Sequence, residues 1–380
     1  MKYATLLFLF ALGGCSTVSD WFGPSKAVTK PAELTEFKQL ASLTRMWEAQ
    51  TGKASSHVFT PATDGQAVYV ASAEGRISRL DLATGKTTWQ IEAGQPISGG
   101  VGVGDGLVLV GTIKGVLLAY KAADGSPAWN AKLGGEILSP AVAGEGVVAA
   151  RGNDGKVWMV ESATGKVRWV QSRALPALTL REQGHMILTH NALYAGMPGG
   201  RLVAFALNNG APVWEGSVAL PKGATELERI VDVNGTLTLD EQRVCAASYQ
   251  GRVACFNRIS GSPLWAREIS TLRGVDGDES FVFAVDEHDM VYAYTKGRGV
   301  NPWKQDKLRD RKLSSPLAVA GKYVAVGDYQ GHVHLLTAED GAFVARVSTD
   351  GSPIQGVMIP LKSGLVVQTA NGGVYAFKIQ

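Results

Sequence analysis

Three thiols and one pair of imidazoles are the groups in this chain with chemistry of their own. The cysteines are Cys15, Cys245 and Cys255. Cys245 and Cys255 flank the turn Tyr249-Gln250-Gly251-Arg252, which places them on paired strands. A cross-strand disulfide and two buried thiols both fit that placement. His332 and His334 are two residues apart, so on a strand they share one face. Two ligands without a third make a poor metal site, and the expectation is an exposed strand face with no bound metal. No Gly-x-Ser-x-Gly elbow and no zinc-type spacing occurs, and the acids do not cluster as calcium ligands. These residues predict a chain that is not an enzyme and carries no cofactor.

Cys15 stands apart because of what precedes it. Met1-Lys2 gives one positive charge, Ala4 to Leu12 is largely apolar, and Gly13-Gly14 leads into the cysteine. A charged start, a short apolar core and small residues before a cut site make a secretory signal. The apolar run is too short to span a bilayer. Leu12-Gly13-Gly14-Cys15 resembles a bacterial lipobox. The resemblance implies removal of residues 1–14 and lipidation of Cys15 with three acyl chains, where a single chain would hold only weakly. Ser16 follows the cysteine, which by likeness to enterobacterial sorting implies the outer membrane, lipid-anchored and facing the periplasm. Residues 15–40, mixed and aperiodic with Pro24 and Pro31, read as the lipidated tether.

The elements that must position everything else come from residues 41–380. Hydrophobic residues make up 45% of the chain and charged residues 19%, which excludes intrinsic disorder. A net charge of +3 over 380 residues argues against a nucleic-acid platform. The 46 glycines, well above the usual ~7%, fit many tight turns between short strands. Glycine is followed four residues later by tryptophan in Gly85/Trp89, Gly125/Trp129, Gly165/Trp169, Gly210/Trp214, Gly261/Trp265 and Gly299/Trp303. The tryptophans are 40, 40, 45, 51 and 38 residues apart. Each interval holds enough short apolar runs and turns for four strands, and helical periodicity is missing between them. Eight such units predict an all-β fold, an eight-bladed β-propeller of four-stranded antiparallel blades. The eighth unit stops at Gln380 without its tryptophan strand, and Leu43 to Glu48 supplies an orphan Trp47. The N-terminal strand is therefore expected to complete the last blade and close the ring. In the seventh unit Ala345 stands where tryptophan is expected, with Phe343 as a candidate substitute.

The run Asp81 to Trp89 resembles the tryptophan-docking repeat of pyrroloquinoline-quinone (PQQ) dehydrogenases, which are eight-bladed propellers. With the lipobox and chain length, the sequence is more similar to the BamB family, lipoprotein propellers of the outer-membrane β-barrel assembly (BAM) machinery. That resemblance implies a non-catalytic scaffold that assists folding and insertion of β-barrel proteins. It implies contact with the periplasmic domains of BamA and with other BAM components, and unfolded outer-membrane proteins as candidate clients. The segments 175–181 and 225–233 look like the family's partner-binding stretches. They also fall in the two long tryptophan intervals, where extra residues form rim loops. The resemblance assigns BamA contact to Leu178, Leu180, Arg181 and Asp232, while Asn234 stands where the family can carry a second acid. On the residues alone, Leu178 and Leu180 fit an exposed patch around an Arg anchor and equally a buried strand. The alternatives are a quinoprotein dehydrogenase and a cell-wall-binding propeller. The first would need adjacent cysteines and a calcium site, which this sequence lacks.

Overall fold

The computed structural model describes residues 30–380, so Cys15 and the leader lie outside the described residues. Thirty-two strands form eight four-stranded antiparallel sheets. Blades 1 to 7 span residues 62–92, 99–132, 142–172, 186–217, 238–268, 275–305 and 317–348. Blade 8 takes three strands from residues 359–379 and its outer strand from Leu43–Gln50. The described residues hold no helix long and apolar enough to cross a membrane.

Blade 3 shows why these residues form these strands. Its second strand, Val147–Arg151, is buried along its whole length, because sheets of both neighbouring blades cover it. Its outer strand, Val167–Ser172, is exposed except around Trp169. Gly155 and Gly165 turn the chain at φ of 75° and 70°, where a Cβ would be strained. The first strands of adjacent blades touch one another around the axis. Connections between blades lie beside the second-to-third-strand turns, as in Ala93 N to Gly75 O (2.8 Å) and Val218 N to Gly200 O (2.8 Å). This side is called the loop face below.

The tryptophans lock each blade to the next. Trp47 donates its indole N–H to Leu82 O (2.8 Å), Trp89 to Ala122 O (3.0 Å) and Trp129 to Ser162 O (2.7 Å). Trp169, Trp214, Trp265 and Trp303 repeat the contact around the ring. Each indole also lies on the turn glycine of the following blade. A Cβ on Gly85 would sit 2.6 Å from Trp47, at a φ of 70°. The buried aromatic thus gains both packing and a partner for its one donor.

Blade 7 is the exception, and closure explains it. Leu43 to Gln50 pairs antiparallel with Gly373 to Ile379, while Ser42 and Gln380 exchange backbone hydrogen bonds of 2.9 and 3.0 Å. Blade 8 therefore has the Ser42–Gln380 backbone pair where the other blades have a glycine turn, and that pair offers no turn glycine for a blade 7 indole to cover. The N-terminal segment fills the place: Leu40 N and Ala41 N both donate to Val344 O. Phe343 does not substitute for the tryptophan; it packs in a tilted arrangement against Phe37, with ring centroids 5.6 Å apart.

Residues 32–41 run along blade 7 toward its closure with blade 8. Ala32 N donates to Arg309 O (2.9 Å), Arg311 donates to Ala32 O (3.0 Å), and Arg346 donates to Thr35 O (3.2 Å). The part of the expected tether within the described residues is thus tied to the propeller from Ala32 onward. It meets the body at the inter-blade connection holding Arg309 and Arg311, on the loop face.

Candidate docking surface

Two loop-face connections are longer than the rest: residues 173–185 between blades 3 and 4, and 218–237 between blades 4 and 5. They carry the four residues singled out by sequence. Leu178 is 41% exposed, Leu180 is half-buried and Arg181 is exposed, whereas Asp232 is only 1% exposed. Leu175, Leu220 and Leu227 add further exposed apolar side chains on the same two loops.

The first loop is held by polar contacts, not by a core. Arg181 grips Glu136 of the preceding connection bidentately, through Nε (2.9 Å) and Nη2 (2.6 Å). Such a fork-to-fork pair fixes the guanidinium in plane as well as in place. Asp232 accepts from Leu180 N (2.7 Å) and from Gly199 N (3.0 Å). Both carboxylate oxygens are thus taken by backbone donors, and Asp232 has almost no exposure. Among the described residues Asp232 is engaged in tying the backbone at Leu180 to that at Gly199. Asn234 is also buried. The flanking residues Ile230, Val231 and Val233 are buried as well, an apolar run that is the sequence signal for an inward acid.

The second loop caps itself. Glu228 accepts from Ala224 N (2.8 Å) and Thr225 N (3.0 Å), and its own N–H donates to Thr225 Oγ1 (3.3 Å). This is the reciprocal capping of a helical first turn. Those backbone donors hold the Glu228 carboxyl below its usual range. The turn presents Leu227 at its apex, 66% exposed.

Gln183 bridges separate loop-face connections. Its Nε2 donates to Val58 O (2.6 Å), three blades away around the ring, and to Leu138 O (3.1 Å). Burial, then the nearby Arg181, lowers the pKa of His57 beside this bridge.

Two other clusters were candidates for chemistry. Cys245 and Cys255 face each other across the second and third strands of blade 5 and form a disulfide. His332 and His334 share a strand face as expected, but that face is not exposed. His334 is fully buried and, with His332, lies beside Asp328. The three could present ligand atoms to one metal ion. Their donor atoms are already occupied. Arg346 donates to His334 Nδ1 (3.0 Å), His334 Nε2 faces Asp328 Oδ2 (3.1 Å), and Arg311 Nε donates to the same oxygen (2.8 Å). A cation would have to displace two guanidinium groups, so the residues do not fit a metal. Burial pushes His334 down to about 4 against the pull of Asp328. Burial would raise Asp328, but hydrogen bonds from His334 and Arg311 hold it well below the usual carboxylate range. The cluster instead clamps the N-terminal segment through Ala32 and Thr35.

A quinone site is not supported by these residues. Cys245 and Cys255 are cross-strand and disulfide-bonded, not adjacent in sequence.

Comparison with known proteins gives a consistent family. The model of the family described as outer membrane protein assembly factor BamB matches residues 41–98, 73–305 and 287–380. Outer membrane protein assembly factor BamB of Burkholderia pseudomallei is 40% identical over 99% of this chain and 96% of its own. The protein of the same name from Pseudomonas aeruginosa is 39% identical over 100% of this chain and 99% of its own. The crystal structure of BamB from Moraxella catarrhalis superposes with a TM-score of 0.81 at 27% identity, covering 88% of this chain and 99% of that one. Quinohemoprotein alcohol dehydrogenase from Comamonas testosteroni, at 13% identity, TM-score 0.70 and coverage of 90% of this chain and 78% of that one, shares the fold alone.

Proposed function

Because the chain belongs to the BamB family of outer membrane protein assembly factors, we propose that it serves the BAM complex as an accessory lipoprotein and not as a catalyst. It docks on the periplasmic domains of BamA through the loops 173–185 and 218–237, and so assists folding and insertion of β-barrel proteins at the outer membrane. The observation that carries this reading is the pairing of exposed leucines with a fixed cation. Leu178 and its neighbours offer apolar area, and Arg181 stands among them held by Glu136. Apolar anchors beside a preorganised guanidinium are the composition of an interface hot spot.

Roles divide by geometry. Leu178 and Arg181 make the contact, Leu180 packs half-buried behind them, and Asp232 positions their backbone. Cys15 carries the acyl chains that hold the protein to the outer membrane from the periplasmic side. The described chain begins on the loop face, the face that carries the docking loops. Neither quinone chemistry nor cell-wall binding has an observation in its favour.

The test is co-purification from detergent-solubilised outer membranes. Arg181→Glu places a carboxylate against Glu136 and reverses the charge offered to the partner. Recovery of BamA is expected to fall at least tenfold; undiminished recovery removes Arg181 from the interface.

A further inference from the structure

The second-strand residue that pairs with the third-strand residue six positions later is the same structural position in every blade. It is Ala71, Gly111, Gly196, Ala247, Val285 and Gly327 in blades 1, 2, 4, 5, 6 and 7, and Gln368 in blade 8. In blade 3 it is Arg151. The small residues there make room for an aliphatic from the connection that follows. A Cβ on Gly111 would meet Ile137, one on Gly196 would meet Val233, and one on Gly327 would meet Ile354. Blade 3 inverts the arrangement: the connection supplies Gly184, and a Cβ there would lie 1.6 Å from Arg151 Nη1. Packing at this position is met elsewhere without charge, so the blade itself does not call for a guanidinium.

Arg151 is 8% exposed, and its Nη1 has no hydrogen-bond partner. Burying a cation without an acceptor is costly, and such a group is retained against stability. The carboxylates nearby are otherwise engaged. Glu136 is held by Arg181, and Asp232 by two backbone N–H groups. Glu182 lines the same cleft and makes no ion pair among the described residues. The cleft opens between Ser139, Asn153, Thr179 and Leu180, directly beneath the docking loop. Its interior of about 10 Å³ has room for one oxygen-sized group.

We propose that Arg151 forms a buried subsite of the docking surface, which receives a carboxylate from an Asp or Glu side chain of the partner. The inference rests on the docking reading above and adds the chemistry the partner must bring. Leu178 and Arg181 hold the partner at the surface, and one acidic side chain at the mouth of the cleft places a carboxylate oxygen against Arg151. A charge-assisted bond formed away from water contributes more than its exposed equivalent.

The experiment uses the full mature chain with two probes. Sodium formate, compared with chloride at equal ionic strength, is the small carboxylate. It is expected to raise the Tm of the unmodified protein saturably, and to do so no longer in Arg151→Met or Arg151→Lys. The periplasmic domains of BamA are the second probe. Arg151→Met is expected to bind them at least tenfold more weakly while its own Tm in chloride stays equal or rises. Should that variant fail to fold, Arg151→Lys carries the same comparison. Absence of any formate response, together with unchanged BamA affinity in the variants, overturns the inference and leaves docking through Arg181 standing. A formate response that appears only in Glu182→Gln also overturns it, since Glu182 then fills the subsite. A formate response at Arg151 with no BamA binding by the unmodified chain supports the subsite and defeats the docking reading instead.

Discussion

Restoring the repeat where it lapses should damage this protein. Ala345 occupies the one blade position where the other seven blades carry tryptophan, and sequence logic alone would recommend Ala345→Trp as a stabilising return to consensus. The structure predicts the opposite. Ala345 is fully buried beside Ala41, Leu43 and Phe377, which seal the ends of the chain. The other indoles are accommodated because a turn glycine of the next blade yields the space, as Gly341 does for Trp303. Blade 8 has no such turn, and the hydrogen bonds from Leu40 and Ala41 to Val344 O already cross the site. An indole inserted into a filled site costs about 1–3 kcal/mol through displaced neighbours. At about 2 °C per kcal/mol for a body of this size, the Tm should fall by roughly 2–6 °C. Trp303→Ala is the companion variant, because it empties an occupied slot and should cost about 3–5 kcal/mol. Thermal unfolding of the non-lipidated chain followed by circular dichroism reads both. An Ala345→Trp protein as stable as the parent, or more so, would show that the blade 7 slot is open and that the account of closure is wrong.

Two further outcomes follow from buried groups. Replacing Cys245 and Cys255 together by alanine reopens a short covalent loop between neighbouring strands, with the two cysteines 10 residues apart. The loss should be at most about 3 kcal/mol, measured by urea titration against the parent under non-reducing conditions; unchanged stability would mean the bond adds nothing to strands already paired. His334 is buried neutral, with its pKa depressed to about 4 from the ordinary 6.5. A depressed imidazole contributes stability that is complete above about pH 6.5 and is lost as the pH falls toward 4, since only the unfolded chain takes up the proton easily. The Tm should therefore drop across that window, and His334→Gln should flatten the drop; identical pH profiles would place the sensitivity elsewhere.

The fold was legible because a contact between blades repeats as a spacing along the chain. The reading of glycine followed by tryptophan four residues later identified the repeat without identifying the contact. Gly85 is covered by Trp47 of the preceding blade and not by its own Trp89. Likewise the missing tryptophan at residue 345 and the missing final strand after Gln380 looked like two irregularities. They are one: removing the last turn removes the surface that a seventh-blade indole would cover. Burial of His334 was not legible, because the N-terminal segment that helps cover its clamp is more than 290 residues away in sequence.

The two long loop-face connections were legible by their length, but the setting of each side chain was not, because an inserted segment reads as exposed throughout. Asp232 illustrates the difference. An acid in a rim loop can face a partner or satisfy backbone donors, and only its setting among Ile230, Val231 and Val233 points to the second. Arg151 lay outside the insertions altogether, at the end of a strand whose other residues are apolar. A propeller, however, provides its own control, since each position recurs in eight blades under nearly the same packing demands. A residue that departs from what its equivalents carry, and that leaves a charge buried without an acceptor, is not explained by the fold. By that standard Gly184 and Arg151 belong with Leu178 and Arg181. The inverted glycine–arginine pair lies at that loop with Arg151 Nη1 unpartnered, which is the place the proposed acid would fill.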